Sequence, residues 1–306
     1  MKNTNKKIII SFTLLLLLGI TYYFFFYNPP YKGLVTLTEA PLVFSHRGFG
    51  DAAPDNSLRA AKEAMENNLD GVDVDGQLTS DKELVIFHDL SVDRLTIESG
   101  RISSLTLGEL KKLDLGEKFN DPKYINSYVS SFEDFVSEIT PKGILMVELK
   151  VPGIKNSGIE KEAARIVKKY DAFDRVYLSS FNPFVLYRLK KIDKRINTAL
   201  IFMDTNWNAE LLAEIPPEDL VNLPWILRQE WIRTAIRKVV KPDLLSVNTE
   251  VKTETIDKLL EKGWPIFLWT IDEAALQREA LKKKPYGLIT DEPLQGKNIR
   301  DELYKK

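Results

Sequence analysis

The sequence predicts an α/β protein in which a mostly parallel sheet is covered by helices and is preceded by a membrane-spanning helix. Three observations predict this architecture. Short apolar runs alternate with amphipathic stretches, polar residues stand where the apolar runs end, and one long uncharged run precedes them all. Near-continuous apolar strands that alternate with helices are typical of a parallel sheet buried on both faces.

The uncharged run comprises residues 8–27 and, as a helix, is long enough to cross about 30 Å of hydrocarbon. Lysines but no acidic residue precede it, so the positive-inside rule places residues 1–7 in the cytoplasm and the rest of the chain outside. The run ends in bulky aromatic residues, which favours an uncleaved anchor over a cleaved signal peptide. Residues 28–40 are expected to form a stalk.

Eight β-rich runs follow the stalk when residues 71–89 are counted as one unit, and eight strands match a closed (β/α)8 barrel. An open doubly wound sheet is the alternative that a strand count leaves open. The predicted strands lie at residues 42–48, 71–89, 144–150, 175–181, 197–202, 244–249, 265–271 and 287–293. The predicted helices lie at residues 57–68, 158–170 and 253–263, with another within 203–243. The domain is expected to span 41–306, with an excursion over one barrel end at about 90–130.

Charge and cysteine content exclude several classes of protein. The chain carries 43 Lys and Arg against 44 Asp and Glu, a formal net charge of −1. This balance lacks the basic excess that nucleic-acid binding relies on, so no nucleic-acid partner is expected. The absence of cysteine excludes disulfides, zinc–thiolate sites, cysteine nucleophiles and an acylated lipoprotein anchor.

The two histidines of the chain, His46 and His88, each stand at the C-terminal end of a predicted strand. Active sites of (β/α)8 enzymes lie at that end of the barrel. An isolated strand-end histidine is usually structural, so neither residue is informative alone. Their common position indicates a shared site.

Acidic residues stand at the same end of the predicted barrel. Asp73 and Asp75 are two apart on one strand and therefore share a face, and Glu148 and Lys150 repeat that spacing on a later strand. Taken alone, an Asp-x-Asp pair is commonly a solvated strand face, and a Glu-x-Lys pair is commonly a surface ion pair. Together they bury several charges at one end, which is costly unless a partner neutralises them. A hard divalent cation with oxygen ligands meets that need, which indicates a hydrolytic metal site.

The same residues carry a family resemblance. The run S-HRG-FGDAAPDNS-LRAA from residue 45 resembles the opening motif of glycerophosphodiester phosphodiesterases, usually H-R-G followed by P-E-N-T. GVDVDGQLTSDKELVIFHD resembles the second block of that family, and VELK, LSSF, LWTID and GLITDEP resemble its later blocks. The match runs from His46 to Pro293. It implies a (β/α)8 TIM barrel of the phospholipase C-like phosphodiesterase type, which hydrolyses glycerophosphodiesters to an alcohol and sn-glycerol 3-phosphate.

The resemblance also implies roles for individual residues. Asp73, Asp75 and Glu148 match the family's ligands for a divalent metal, Mg²⁺ or Ca²⁺. His46 and His88 match its catalytic pair, and we expect His46 to act as base and His88 as acid.

Other positions match groups that contact the substrate. Arg47 and Lys150 match phosphate-contacting groups, and Trp269 matches a barrel-lining aromatic residue near the substrate. Asp291, at the end of the last strand, is expected to be structural.

The sequence departs from the family pattern at two positions. Asp73 and Asp55 stand where the family usually has Glu, so each carboxylate is one methylene shorter. At position 73 the shorter carboxylate leaves a gap to the metal that a bridging water or a larger ion would fill. This bears on metal preference and catalytic rate rather than on the fold. Two alternative functions remain: lysophospholipase D-type activity on membrane lysolipids, and an impaired, membrane-tethered binding module.

Overall fold

The computed structural model describes residues 2–27, 30–31, 33, 35, 37–119, 121–151, 153, 155–204 and 229–305. Its strands are β1 (Leu42–His46), β2 (Gly71–Leu78), β3 (Leu84–Ile86), β4 (Ile144–Leu149), β5 (Val176–Ser180), β6 (Asn197–Phe202), β7 (Leu244–Asn248), β8 (Ile266–Trp269) and β9 (Gly287–Thr290). Its α-helices are α1 (Lys2–Phe25), α2 (Leu58–Glu66), α3 (Leu107–Leu110), α4 (Phe132–Ile139), α5 (Ile159–Lys169), α6 (Pro183–Ile192), α7 (Glu230–Val240), α8 (Thr253–Glu261), α9 (Ala274–Lys282) and α10 (Pro293–Tyr304).

Eight parallel strands close into a barrel. The hydrogen-bonded order is β1-β9-β8-β7-β6-β5-β4-β2, and β1 pairs in parallel with β2 as well as with β9. Since the first strand bonds to both the second and the last, the sheet is a closed ring and the open doubly wound alternative is wrong. The predicted (β/α)8 barrel is confirmed, with helices packed around it.

Residues 71–89, which were predicted to form one strand unit, form two strands in the structure. The chain turns back after β2, through Lys82 in the left-handed region (φ 68°), and β3 pairs antiparallel to β2. β3 bonds to Gly76–Leu78, beyond the residues of β2 that pair with β1. The barrel therefore keeps its eight parallel strands, and β3 is an additional strand on the rim.

Aromatic side chains fill the barrel interior near the N-terminal ends of its strands. Tyr177, Leu244 and Tyr286 lie at or just before the beginnings of their strands and are buried with Phe44 and Phe267. The rings of Phe44 and Phe267 approach within 4.6 Å between centroids. Packed aromatic rings at one end make the barrel a solid core rather than a pore.

The membrane-spanning helix expected over residues 8–27 is not supported by the structure. Helix α1 ends at Phe25, before the predicted end of the span at Tyr27. In the part of the chain that the structure describes, no helix combines the length and the apolar character that crossing a membrane requires. The last turn of α1 contacts α7, where the ring of Phe25 meets that of Trp231 edge to face at 5.3 Å between centroids.

Two long connections flank the barrel strands. Residues 90–130 contain α3 and two short 3-10 helices, Ile102–Ser104 and Pro122–Tyr124. A small core of their own holds them to β3. Of the helix expected within 203–243, α7 is observed, and residues 205–228 lie outside the described residues.

Candidate active site at the barrel mouth

β1 delivers His46 to the mouth of the barrel, because His46 is the last residue of that strand. Its Nδ1 donates a hydrogen bond to Oδ1 of Asp291 at 2.9 Å, since a carboxylate can only accept. Asp291 directly follows β9, the strand that pairs with β1. Asp291 was expected to be structural only; the structure places it behind the imidazole of His46.

A glycine allows this approach. Gly50 has a φ of +60°, and a Cβ atom at this position would lie 2.0 Å from the carbonyl oxygen of Asp291. A residue with a side chain is disfavoured by the conformation and excluded by the contact. The loop after β1 therefore passes against the end of β9 because residue 50 has no side chain.

His88 reaches the site by a different route from the one that the sequence suggested. It follows β3, which runs against the barrel strands, and Phe87 N donates to the carbonyl oxygen of Asp75 at 2.7 Å. Nδ1 of His88 donates to Oδ1 of Asp89 at 2.7 Å. The buried amide of Gln77 donates to the carbonyl oxygens of residues 87, 88 and 89 at 2.9, 3.0 and 2.7 Å. One side chain of β2 thus fixes the backbone that carries His88.

The surroundings of the two imidazoles shift their pKa values in opposite directions. Burial lowers the pKa of His46, but the hydrogen bond and the negative charge of Asp291 outweigh burial, so that pKa is raised from its usual value. Burial, and then the positive charge of Lys150, lower the pKa of His88 despite nearby carboxylates. Near neutral pH, His46 therefore keeps its second proton more readily than His88 does.

Asp75 is the most highly connected carboxylate of the site. Lys150 Nζ lies 3.1 Å from Oδ1, and Arg47 Nε lies 3.9 Å from Oδ2. The buried Asn56 donates from Nδ2 to Oδ2 at 3.0 Å and accepts from the backbone N–H of Asp75 at 2.8 Å. Burial raises the pKa of Asp75, but these positive charges and the hydrogen bond from Asn56 hold it well below the usual range.

Glu148 and Asp73 stand in less compensated positions. Asp75 is the β-sheet partner of Glu148, and Lys150 Nζ lies 3.6 Å from Glu148 Oε1. Burial, with the charge of Asp75 adding to it, raises the pKa of Glu148. Asp73 pairs with His46 across β1 and β2. Burial and the repulsion of the other two carboxylates raise the pKa of Asp73 to about 8, although His46 acts against them.

Asp73, Asp75 and Glu148 supply the oxygen atoms that a divalent cation prefers, but they are not arranged around a common ligand position. Among the residues that the structure describes, no three His, Asp or Glu side chains are arranged to hold a metal ion. Burial, to which repulsion among the carboxylates adds, nevertheless raises the pKa of Asp73 and of Glu148, so ionising these groups is costly without a further cation. A hard cation bound by the carboxylate oxygens removes that cost, so the residues are chemically compatible with Mg²⁺ or Ca²⁺.

Trp269 is the last residue of β8 and therefore also stands at the mouth. Its ring meets that of Phe181 edge to face at 6.1 Å between centroids. Its Nε1 is buried and has no hydrogen-bond partner among the described residues. A buried donor without a partner is costly, so this N–H is an unsatisfied donor at the barrel mouth.

The structure brings every predicted site residue to the same end of the barrel. It adds four polar residues: Asn56, Gln77, Arg94 and Asp291. The first three were not predicted as site residues, and Asp291 was predicted to be structural. Gln77 continues the alternation of Asp73 and Asp75 on β2, so its inward position was readable from the sequence. The other three stand in loops, where no periodicity indicates direction.

Comparison with known proteins extends these observations. The sequence profile of the glycerophosphoryl diester phosphodiesterase family matches residues 46–295. A glycerophosphodiester phosphodiesterase of Caldanaerobacter subterraneus is 31% identical over 253 residues, 82% of this chain and 94% of the relative.

Solved structures share the fold. A glycerophosphodiester phosphodiesterase from Agrobacterium tumefaciens aligns with a TM-score of 0.64 at 19% identity, over 84% of this chain and 99% of that one. An Oleispira antarctica phosphodiesterase, solved in complex with the product sn-glycerol-3-phosphate, aligns with a TM-score of 0.65 at 21% identity, over 86% and 97%.

The family match covers the barrel from the histidine that ends β1 to the helix that follows β9. The similarity to the Caldanaerobacter relative extends over nearly the whole of that protein. The resemblance read from the motifs is thereby confirmed: the chain belongs to the glycerophosphoryl diester phosphodiesterase family, and its enzyme class is phosphoric diester hydrolase.

Proposed function

We propose that the protein hydrolyses glycerophosphodiesters to an alcohol and sn-glycerol 3-phosphate at the barrel mouth. One observation carries the proposal. Two imidazoles with pKa values shifted in opposite directions, each backed by a carboxylate, share one barrel end with two cationic side chains. Acid–base groups beside cations suit the cleavage of a phosphodiester, whose transition state places charge on the phosphoryl oxygens. Relatives with this named activity support the same assignment.

Arg47 and Lys150 are proposed to bind the phosphate. Both side chains lie within reach of Asp75, so a phosphate beside them meets two partly buried positive charges. The fork of Arg47 suits two phosphate oxygens, whereas Lys150 supplies a compact charge. Trp269 is proposed to contact the glycerol moiety, since its indole N–H is free to donate among the described residues.

The pKa directions favour roles for the histidines that reverse those expected from the sequence. His88, whose pKa is lowered, is proposed to take the proton of the attacking hydroxyl. His46, whose pKa is raised, is proposed to donate a proton to the departing oxygen as the P–O bond breaks. In both rings Nδ1 is engaged by a carboxylate, which leaves Nε2 to exchange the proton. The attacking hydroxyl belongs to water or to the neighbouring glycerol carbon, and a cyclic phosphate product distinguishes the second route.

Asp73, Asp75 and Glu148 are proposed to hold a divalent cation. When bound, the cation supplies positive charge that stabilises the phosphoryl oxygens in the transition state. The cost of ionising the buried Asp73 and Glu148 without a cation supports the assignment. The shorter Asp73 favours an ion larger than Mg²⁺ or an intervening water.

The test is an activity assay of the full chain after treatment with EDTA and after addition of Mg²⁺ or Ca²⁺. The substrates are glycerophosphocholine, glycerophosphoethanolamine and lysophosphatidylcholine, and the products are identified by ³¹P NMR. Release of sn-glycerol 3-phosphate that returns with the metal supports the proposal. Absence of that product from a folded protein, with every substrate and both metals, refutes it.

A further inference from the structure

We propose that Arg94, in the excursion after β3, is a positioning residue that holds the supports of both His88 and Arg47. The inference rests on the proposed function, in which His88 accepts a proton and Arg47 binds phosphate. It assigns part of the catalytic geometry to a segment outside the barrel.

One guanidinium group bridges two carboxylates. Arg94 donates from Nε to Asp89 Oδ2 at 2.6 Å and from Nη2 to Asp89 Oδ1 at 3.2 Å. The same Nη2 donates to Asp55 Oδ2 at 2.9 Å. A planar fork with two donors on one carboxylate fixes the orientation of that carboxylate as well as its distance.

Each of these carboxylates holds one functional side chain. Asp89 accepts from Nδ1 of His88 at 2.7 Å, and Asp55 accepts from Nη1 of Arg47 at 3.1 Å. Arg94 is therefore the common support of two contacts that arise from separate segments, one after β1 and one after β3. Loss of the guanidinium leaves each carboxylate bonded to its partner but no longer held in one orientation.

The backbone that carries Arg94 is itself held by a tight turn. Gly100 N donates to Asp93 Oδ1 at 2.9 Å, and Thr96 Oγ1 donates to the carbonyl oxygen of Val92 at 3.0 Å. Lys118 Nζ donates to the carbonyl oxygen of Asp93 at 2.6 Å. Val92 and Thr96 are buried. The excursion thus presents Arg94 from a fixed loop.

A role in folding alone does not explain this arrangement. The Arg94 side chain is 49% exposed, and ion pairs with so much exposure contribute little to stability. The pKa of Asp89 agrees with a strongly engaged carboxylate. Burial raises it, but hydrogen bonds from His88 and Arg94 hold it well below the usual range.

The electrostatic consequence concerns His88. A cation beside Asp89 offsets part of the negative charge that faces the imidazole, and its removal stabilises the protonated imidazole. Loss of Arg94 is therefore expected to raise the pKa of His88. The other charged groups that face His88 are Asp75, Lys150 and Arg47.

The experiment compares R94Q and R94K with the wild type and with R165Q. Arg165 is a matched control, because it is equally exposed at 49% and also bridges two carboxylates, Glu133 and Glu162, away from the site. We expect R94Q to lower kcat/KM for glycerophosphocholine on the order of 10- to 100-fold, since small misplacements of reacting groups are costly. The acidic limb of its pH–rate profile should move to higher pH, because more His88 is protonated.

R94K restores the charge without the fork, so it should return the acidic limb toward wild type while recovering kcat only in part. R165Q should leave both quantities unchanged. Wild-type kcat/KM and an unmoved acidic limb in R94Q would overturn the proposal.

A second readout separates this proposal from the proposed function. With two histidines in the chain, NMR titration of the imidazoles is assignable by using H46N. If the wild type turns over no phosphodiester, the proposed function fails, and the His88 pKa in R94Q against wild type still decides about Arg94. A raised pKa supports its role, and an unchanged pKa refutes it. If R94Q does not fold, the NMR chemical shift of the His88 ring in R94K reports the loss of the fork. A changed shift supports the role of Arg94, and an unchanged shift refutes it.

Discussion

Asp291 and His46 meet across the seam at which the barrel closes, with 2.9 Å between the carboxylate Oδ1 and the imidazole Nδ1. The two residues lie 245 positions apart in sequence. Closure of the ring is therefore what completes the proposed proton donor, because the strand that carries His46 acquires its carboxylate only when β9 pairs with it.

Replacement of Asp291 by Asn should lower the pKa of His46, because burial already lowers it and the carboxylate is what raises it. An acid that loses its proton at lower pH moves the basic limb of the kcat/KM profile to lower pH. We expect the maximal rate to fall on the order of 10- to 100-fold. The control is D193N, whose carboxylate pairs with Arg195 on the surface. A basic limb that stays in place in D291N would contradict the proposed pairing.

The histidines themselves should be indispensable for turnover and dispensable for folding. H46N and H88N are each expected to lower kcat on the order of 10²- to 10⁴-fold, the usual contribution of general acid–base catalysis. Both rings are only partly buried, so the thermal midpoint should change little. Steady-state kinetics and circular-dichroism melts measure the two effects. Near-normal turnover in both variants would rule out the proton-transfer scheme.

Divalent cations should stabilise the protein, and more strongly at alkaline pH. Burial raises the pKa of Asp73 from its usual value of 3.8 to about 8. In the metal-free protein the cost of ionising Asp73 is therefore absent below the unfolded value and grows as pH rises to about 8. A cation removes that cost and competes with the proton.

The measurement is the thermal midpoint with EDTA and with Mg²⁺ or Ca²⁺, at pH 6 and pH 8. A ligand at about a hundredfold excess over Kd stabilises by about 2.7 kcal/mol. D73N and E148Q should lose this response, whereas D73E, which restores the missing methylene, should keep it and change the preferred metal. An equal metal response in wild type and D73N would exclude Asp73 from the site.

Substitution of Gly50 should separate the cost of a side chain at positive φ from the cost of its contact with Asp291. G50A meets the carbonyl oxygen of Asp291 in a backbone conformation at φ +60°, whereas G263A has a similar φ of +77° with nothing within 4 Å. The difference between the two variants isolates the contact, which we expect to cost about 1–3 kcal/mol more in G50A. G50A should also displace Asp291 and reduce kcat. Equal free energies of unfolding for G50A and G263A in urea would indicate that the loop after β1 moves to accommodate the added methyl group.

The alternating pattern of β2 made much of the site predictable. Asp73 and Asp75 share a face because side chains on a strand alternate, and the register that pairs Asp75 with Glu148 brings the acidic residues of β2 and β4 together. The end of β1 was equally readable, since apolar residues lead directly into His46. These inferences depend on local periodicity, which the barrel preserves.

The rest of the site could not be predicted, because it depends on contacts between segments that are distant in sequence. The turn at Lys82 divides a run that looks continuous, and only the pairing of β3 with β2 shows that His88 approaches from the opposite direction. The partnership of Asp291 with His46 and the opposite pKa shifts of the two histidines follow from burial and barrel closure. No spacing in the sequence encodes them.

β3 lies on the rim rather than in the closed ring, and that position has a consequence for how the enzyme fails. The proposed acid belongs to the ring, whereas the proposed base belongs to an appended hairpin that bonds to the extended end of β2. Fraying of this hairpin separates the catalytic partners while the ring stays intact. Heat inactivation should therefore precede melting of the barrel, and amide exchange should be faster at residues 84–89 than along β1.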